Sequence, residues 1–394
     1  MNHDFFDQII DRRGTNCARW DTMDREYGNR DVIHLEVADM DFRSSDAIRK
    51  GLSRCIDHGI FGYTDLSDAF YSGIMHWYKV RKQIDVRKDE IVFCPRINIG
   101  LGLCVEGFTE KGNEILINTP GYMPLYDVIQ KNGRIPVESP LIYCGGRYDL
   151  DFDQIERSIT AKTKMIVLVN PHNPTGRLWT KDELDRLADI CVRHDLILFS
   201  DEIHGDIIGS GGHFTSTLQL SEEARQHLIT ASSITKTFNV PGSIIAYLIV
   251  PNARLREELR RQIDRVGMHN PNIFSMSIIE NAYFHSDAWY EAMLSYLDEN
   301  VRFTLDYFHR YMPEIEFAQR EASYMLWGSY GRLGCSEDRM HRWFLDEAKV
   351  GVFMGSHYGQ GGAGFFRMNI ASPRPLLEQA FERMRESYHL LHTS

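Results

Sequence analysis

The chain has 394 residues, 43% of them hydrophobic and 25% charged, and a formal net charge of −11. That length predicts two or three domains, or one large one with an appendage, and enough material for a sizeable buried core. The acidic balance argues against a nucleic-acid or anionic-membrane partner, and no stretch approaches the roughly 18 consecutive apolar residues a spanning helix needs.

The opening ten residues hold two Asp and no apolar run, so no secretory signal is expected there. Residues 1–40 carry no long amphipathic period and predict an arm with a short helix. Beyond them, apolar strand candidates at 114–118, 165–170, 196–200, 228–232 and 244–250 alternate with helical stretches at 103–109, 124–132, 181–194 and 255–266. Short strands that are apolar throughout are covered on both faces, and strand–helix alternation implies a mostly parallel sheet. Thr180 with Glu183 three residues on reads as a capping box opening the helix at 181. A long helical region at about 275–311, containing Trp289, Leu294, Leu297 and Phe303, then changes the pattern, and shorter strands and helices run to Ser394. The expected fold class is α/β: a three-layer α/β/α large domain on a mostly parallel seven-stranded sheet, plus a smaller α+β domain that can recruit the N-terminal segment. The expected boundaries are 1–44 for the arm and part of the small domain, 45–285 for the large domain and 286–394 for the small C-terminal domain. Seven scattered cysteines with no CxxC pair suit reduced thiols and a cytoplasmic protein.

Four segments carry chemistry, each just past a predicted strand, the first of them in the chain after the strand-like Ile91–Cys94. Asp201 follows the apolar run Leu196-Ile197-Leu198-Phe199, at the sheet edge where open α/β sheets bind ligands. Alone it reads equally as a turn or cap residue. Pro171-His172-Asn173-Pro174-Thr175-Gly176 makes a rigid loop after 165–170 and would hold Asn173 beside Asp201. Ser233-Ile234-Thr235-Lys236-Thr237-Phe238-Asn239 sets a lysine among hydroxyls, a Schiff-base candidate, although any single lysine is more often solvated. Asn98-Ile99-Gly100-Leu101-Gly102 leaves free amides at a helix start, which suits phosphate. Together they meet the needs of pyridoxal phosphate: an amine (Lys236), an acid for the pyridinium nitrogen (Asp201) and a phosphate cradle. Asn173 could donate to the 3′ oxygen, Tyr122 could stack on the ring, and Arg367 could grip a substrate carboxylate with two parallel hydrogen bonds.

On these residues the chain resembles the fold-type I pyridoxal-phosphate enzymes. Within them it is similar to the cystathionine β-lyase-like carbon–sulfur lyases that sit beside class I/II aminotransferases. The resemblance runs almost end to end, through Arg13-Gly14-Thr15 with Trp20-Asp21, Val37-Ala38-Asp39-Met40-Asp41-Phe42, Phe61-Gly62-Tyr63-Thr64 and Asn132-Gly133-Arg134. It continues through Ser200-Asp201-Glu202-Ile203-His204, Lys236-Thr237-Phe238-Asn239, Asn270-Pro271-Asn272-Ile273-Phe274 and the segment from Arg367 to Arg374. It implies that Lys236, Asp201 and Tyr122 do the chemistry. It implies that Asn173, Ile97, Asn98, His204, Ser233 and Thr235 join them in holding the cofactor. Arg367, Asn173 and Ala38 would meet the substrate, and Tyr63 would reach across a homodimer interface to the partner's site. Several residues depart from the family pattern around the expected pocket. Arg96 and Asn98 stand where it usually has small or apolar residues, Gly121 for the usual Val, Ile234 for a common Pro and Ser243 for the usual Leu. Ser323 stands for a usual Thr, and Arg43-Ser44-Ser45 follows Asp41-Phe42 where a Pro is usual.

Three other signals receive ordinary readings. Gly359-Gln360-Gly361-Gly362-Ala363-Gly364 fits GxGxxG, but residues 365–370 read as a strand rather than the helix a dinucleotide site needs, so the glycines are expected to form a loop delivering Arg367. Asp201, Glu202, His204 and Asp206 do not predict a metal site, because neighbouring strand residues point to opposite faces; His204 is expected to back up Asp201. Trp77, Tyr78, Trp289 and Tyr290 are expected to pack. The expected reaction is β-elimination from cystathionine or a related S-substituted cysteine, releasing pyruvate, ammonia and a thiol. Transamination shares its first half and stays open, as does a non-catalytic regulator that binds the cofactor.

Overall fold

The computed structural model describes residues 3 to 392. Its centre is a seven-stranded sheet. In chain order the strands are β1 (Ile91–Cys94), β2 (Glu114–Thr119), β3 (Ile135–Pro140), β4 (Thr163–Val169), β5 (Ile197–Asp201), β6 (Leu228–Ser232) and β7 (Ala246–Ile249). Their spatial order is β1-β7-β6-β5-β4-β2-β3. All neighbouring pairs are parallel except those made by β7, which runs against both β1 and β6. Because β7 is inverted between them, β1 points the same way as the other five. The C-terminal ends of six strands therefore share one edge.

The alternation within each strand builds two cores. Ile115, Ile117, Met165, Val167 and Val169 face one layer, with Leu125, Ile129, Leu259 and Ile263. Leu116, Ile166 and Leu168 face the other, with Leu184, Leu187 and Cys191. Successive strand side chains point to opposite faces, so a run that is apolar throughout forces helices onto both. Full burial of each branched side chain contributes about 1.5–3 kcal/mol. The helix Lys181–Arg193 opens with the Thr180–Glu183 capping box.

Several boundaries move from the predicted ones. The helix expected from 103 begins at Ile97 and runs to Phe108, so Asn98–Gly102 forms its first turns rather than a loop before it. Residues 275–311 divide into Ile273–His285 and Asp287–Tyr311 at Ser286. The strand expected from Ile244 starts at Ala246, because Ile244 is in the left-handed region. After the last long helix comes a four-stranded antiparallel sheet of Glu316–Phe317, Met325–Ser329, Phe365–Asn369 and Phe353–Met354, followed by the helix Arg374–Ser387. The N-terminal segment joins this region, with Ile33 and His34 pairing in parallel with Val350 and Gly351.

Candidate active site

Five chain segments leave the shared sheet edge and close around one cavity of about 160 Å³. From β5 comes Asp201, from the turn after β4 Asn173, and from the turn after β6 Ser233, Thr235 and Lys236. The segment after β1 adds Arg96, Ile97 and Asn98, and the segment after β2 adds Tyr122; Ala38 and His204 complete the wall. Ten of the sequence-predicted residues thus meet here, and nine of them, all but Ala38, are gathered because the edge of an open α/β sheet is where its strand-end turns converge.

Lys236 lies in a four-residue helical turn whose N-cap, Ser233, accepts the Thr235 amide. Its Nζ donates to the carbonyl of Ala38. That carbonyl is held in place by two asparagines. Asn239 donates to the carbonyls of Met40 and Phe42 at 2.9 and 2.7 Å and accepts the Met40 amide at 3.0 Å. Asn369 donates to the carbonyls of Val37 and Asp39, each at 2.6 Å. The segment 37–42 is clamped between the lysine turn and the C-terminal sheet, and the hydroxyl of Tyr324 also donates to Ala38 at 3.1 Å. Burial, helped by the positive charge of Arg367, brings the Lys236 amine from 10.5 down to about 8, against the raising fields of Asp39 and Asp201.

Asp201 is 4% exposed, and among the described residues its carboxylate's one hydrogen bond comes from the Ile203 amide at 3.1 Å. Burial pushes its carboxyl up to about 7. Glu202, the next residue, turns away to accept from Ser216 at 2.6 Å and Thr217 at 2.8 Å. The expectation that His204 backs up Asp201 is corrected by the geometry. Its Nδ1 faces Ser323 Oγ at 3.2 Å and its ring lies edge-on to Tyr324, because the segment turning at Ile203 carries the ring toward the strand after Ser323. Burial, with the charges of Lys236 and Arg367, lowers His204 to about 3, so the ring is neutral.

Arg367 enters from the middle of the four-stranded sheet and is 3% exposed. Nη1 donates to Asn173 Oδ1 at 3.0 Å and Nη2 to the carbonyl of Glu36 at 2.9 Å. Its buried Nε has no partner among the described residues. The glycine-rich stretch 359–364 is a loop, and the strand Phe365–Asn369 follows it. Gly121 is required by close approach, since a Cβ there would lie 2.2 Å from the carbonyl oxygen of Asn118. Burial raises the Tyr122 hydroxyl above its ordinary value, with Arg367 opposing.

Tyr63 is absent from the cavity of its own chain. It is fully exposed, near Ile60 and Phe61, which are also exposed. The clamping roles of Asn239 and Asn369 are not legible in the sequence, although both lie in the family motifs, because a side chain's bond to a backbone carbonyl leaves no periodic signal. Arg96 reads in the sequence only as a departure from the family pattern and proves to line the cavity.

Residues 30–384 match the family model described as aminotransferase class I and II. The chain is 31% identical over 381 residues to cystathionine beta-lyase PatB of Bacillus subtilis, covering 96% of this chain and 98% of that one. It is 29% identical over 379 residues to protein MalY of Escherichia coli, covering 95% and 96%. Among solved structures, cystalysin of Treponema denticola with its pyridoxal 5′-phosphate cofactor superposes with a TM-score of 0.95 at 29% identity, covering 98% and 99% of the two chains. The pyridoxal-phosphate-bound C-S lyase of Staphylococcus hominis superposes at 0.90 with 30% identity, covering 97% of each.

Proposed function

The chain belongs to the class I and II aminotransferase family, and from that premise we propose that it is a pyridoxal-phosphate-dependent carbon–sulfur β-lyase. Its substrate would be cystathionine or a related S-substituted cysteine, which with one water gives pyruvate, ammonia and a thiol. The observation that carries the reading is the placing of buried Asp201 and half-buried Lys236, each with a single hydrogen-bond partner among the described residues, on the wall of one cavity that Arg367 also approaches.

The residues fit the cofactor. Among the described residues, this buried carboxyl has one donor, a neutral amide, and no cationic partner, which a pyridine nitrogen carrying a proton would supply. The helix Ile97–Phe108 opens onto the same cavity with no side chain capping its first amides, as a phosphate cradle requires. Lys236 would hold the group covalently, Asp201 would keep the proton on its ring nitrogen, and Tyr122 would cover a face. Asn173, His204, Ile97, Asn98, Ser233 and Thr235 would complete its contacts. When bound, pyridoxal phosphate supplies an electron sink conjugated to the substrate's Cα.

The chain's own groups then divide the remaining work. Lys236 Nζ, brought to about 8, can accept a proton from Cα near neutral pH without being held permanently charged. Arg367, positioned by Asn173 and Glu36, offers its unpartnered Nε edge to the α-carboxylate, and the Ala38 carbonyl borders the amino group. Neutral His204 adds no positive charge beside Asp201. We further infer a homodimer in which Tyr63 reaches the partner's cofactor; the exposed Ile56, Ile60, Phe61, Tyr63 and Ile244 would be covered by it. We infer the domain division 1–44, 45–285 and 286–394 on the change from the parallel to the antiparallel sheet.

The test is pyruvate release from cystathionine and other S-substituted cysteines, with and without added 2-oxoglutarate. Release without the oxo acid is the expected result. Turnover only in its presence would make the protein an aminotransferase.

A further inference from the structure

A second cavity of about 1090 Å³ adjoins the first and shares Ala38, Arg96, Tyr122, Lys236 and Pro241 with it. Its charged lining is unbalanced. Arg12, Arg43, Arg96, Lys236 and Arg367 stand against Asp39 and Asp41. The two carboxylates are already compensated. Arg12 bonds Asp39 at 2.5 Å and Asp41 at 2.7 Å, and fully buried Arg19 lies 3.8 and 3.3 Å from them. Lys236 and Arg367 are assigned to the cofactor and the α-carboxylate. That leaves Arg43 and Arg96. Both are exposed, and neither makes an ion pair or a side-chain hydrogen bond among the described residues. In a chain of net charge −11, a cavity with two uncompensated guanidiniums is a site of opposite sign to the molecule around it, and such a site concentrates anions.

Resting on the lyase reading above, we propose that Arg96, aided by Arg43, binds a carboxylate or similar anion at the far end of the substrate's sulfur substituent. The enzyme would thus select S-substituted cysteines whose leaving thiol carries a negative charge. Three observations favour this over a role for Arg96 on the cofactor phosphate. The inner cavity has its own neutral donors in Ser233, Thr235 and the first-turn amides. Arg96 lines both cavities but is exposed, whereas Ser233 and Thr235 are buried. It also faces the larger space, which is far bigger than cysteine alone would need. A guanidinium matches a carboxylate with paired donors, a match an uncharged isostere cannot reproduce.

The experiment compares S-(2-carboxyethyl)cysteine with S-(2-carbamoylethyl)cysteine, which have nearly the same size and differ in charge. Holoenzyme carrying wild-type Arg96, Arg96→Gln, Arg96→Lys or Arg43→Gln is assayed for kcat/KM by pyruvate release. Binding of each compound is followed by the change in the cofactor's visible band, which needs no turnover, and cofactor affinity is measured by titrating apoprotein. The wild type is expected to favour the acid about tenfold or more in KM and in binding. Arg96→Gln should bring that ratio close to one without moving the cofactor's Kd, Arg96→Lys should keep part of it, and Arg43→Gln should lower it less. A wild-type ratio near one overturns the proposal while leaving the lyase reading intact. An Arg96→Gln variant that loses cofactor affinity but keeps the ratio overturns it too, by assigning Arg96 to the phosphate. If both compounds bind and neither yields pyruvate, the lyase reading fails and the binding ratio still decides the role of Arg96.

Discussion

Two buried charge clusters lie within one clamped segment of each other, and they are built on opposite terms. Around Asp39 and Asp41, each carboxylate is paired with a cation, although Asp39 Oδ1 itself accepts no hydrogen bond among the described residues. Arg12 and Arg19 supply two cations, and Arg19 also donates to the carbonyls of His34 and Asp39 at 2.8 and 3.0 Å and to Ser372 at 2.8 Å. At the sheet edge, among the described residues, Asp201 has one amide, Lys236 has one carbonyl, and Arg367 keeps an unmatched Nε. Burial is similar in the two places, so burial alone does not mark a functional site. What differs is how far the protein itself completes each group. An unanswered buried charge costs stability and is retained where a ligand completes it.

The largest break in this contrast is Lys236→Ala. It should abolish the visible band of the lysine-bound cofactor and lower turnover by on the order of 10⁴, checked by absorbance and pyruvate assay. Asp201→Asn comes next, with an expected loss of on the order of 10²–10³ in kcat/KM.

The same substitution should change how stability depends on pH. The folded chain holds a proton on Asp201 up to about pH 7, whereas the unfolded chain releases it near 3.8. The folded state therefore binds more protons between those values, and wild-type apoprotein should lose stability as pH rises through that window. The variant should lack that loss in pH-dependent melting. A wild-type profile that instead rises across the window would place Asp201 among the answered charges.

Arg19→Leu probes the other side. Removing one partner of a compensated buried group should cost about 3–5 kcal/mol of stability in denaturant titration while the cofactor band persists. The smallest effect is expected at Ser323→Ala, which takes the Nδ1 partner from His204. It should lower kcat/KM by less than about tenfold and cost about 1–3 kcal/mol of stability, because it leaves a buried ring nitrogen unpartnered.

The strands and helices near the site were legible in the chain because their apolar patterns are local. The run from Met165 to Val169 requires cover on both faces wherever it lies, and Thr180 with Glu183 marks a helix start without outside help. Boundaries that depend on tertiary contact were not legible. Ile244 looks like strand but stands exposed in the left-handed region, and Ser286 interrupts a pattern that reads as one helix. The site divided along the same line. Lys236, Asp201, Asn173, Tyr122 and Arg367 could be named from their places after strands, but the partner of His204 could not, because Ser323 lies 119 residues away.

The sequence by itself determined the kinds of group present and the edge at which they gather, since side-chain chemistry and strand periodicity are properties of short segments. Only the tertiary structure decided which of those groups answer one another. Charge compensation depends on distances of a few ångströms between segments far apart in the chain. That is why Asp41 and Asp201, both buried, emerge as one acid paired with cations and one with a single amide among the described residues.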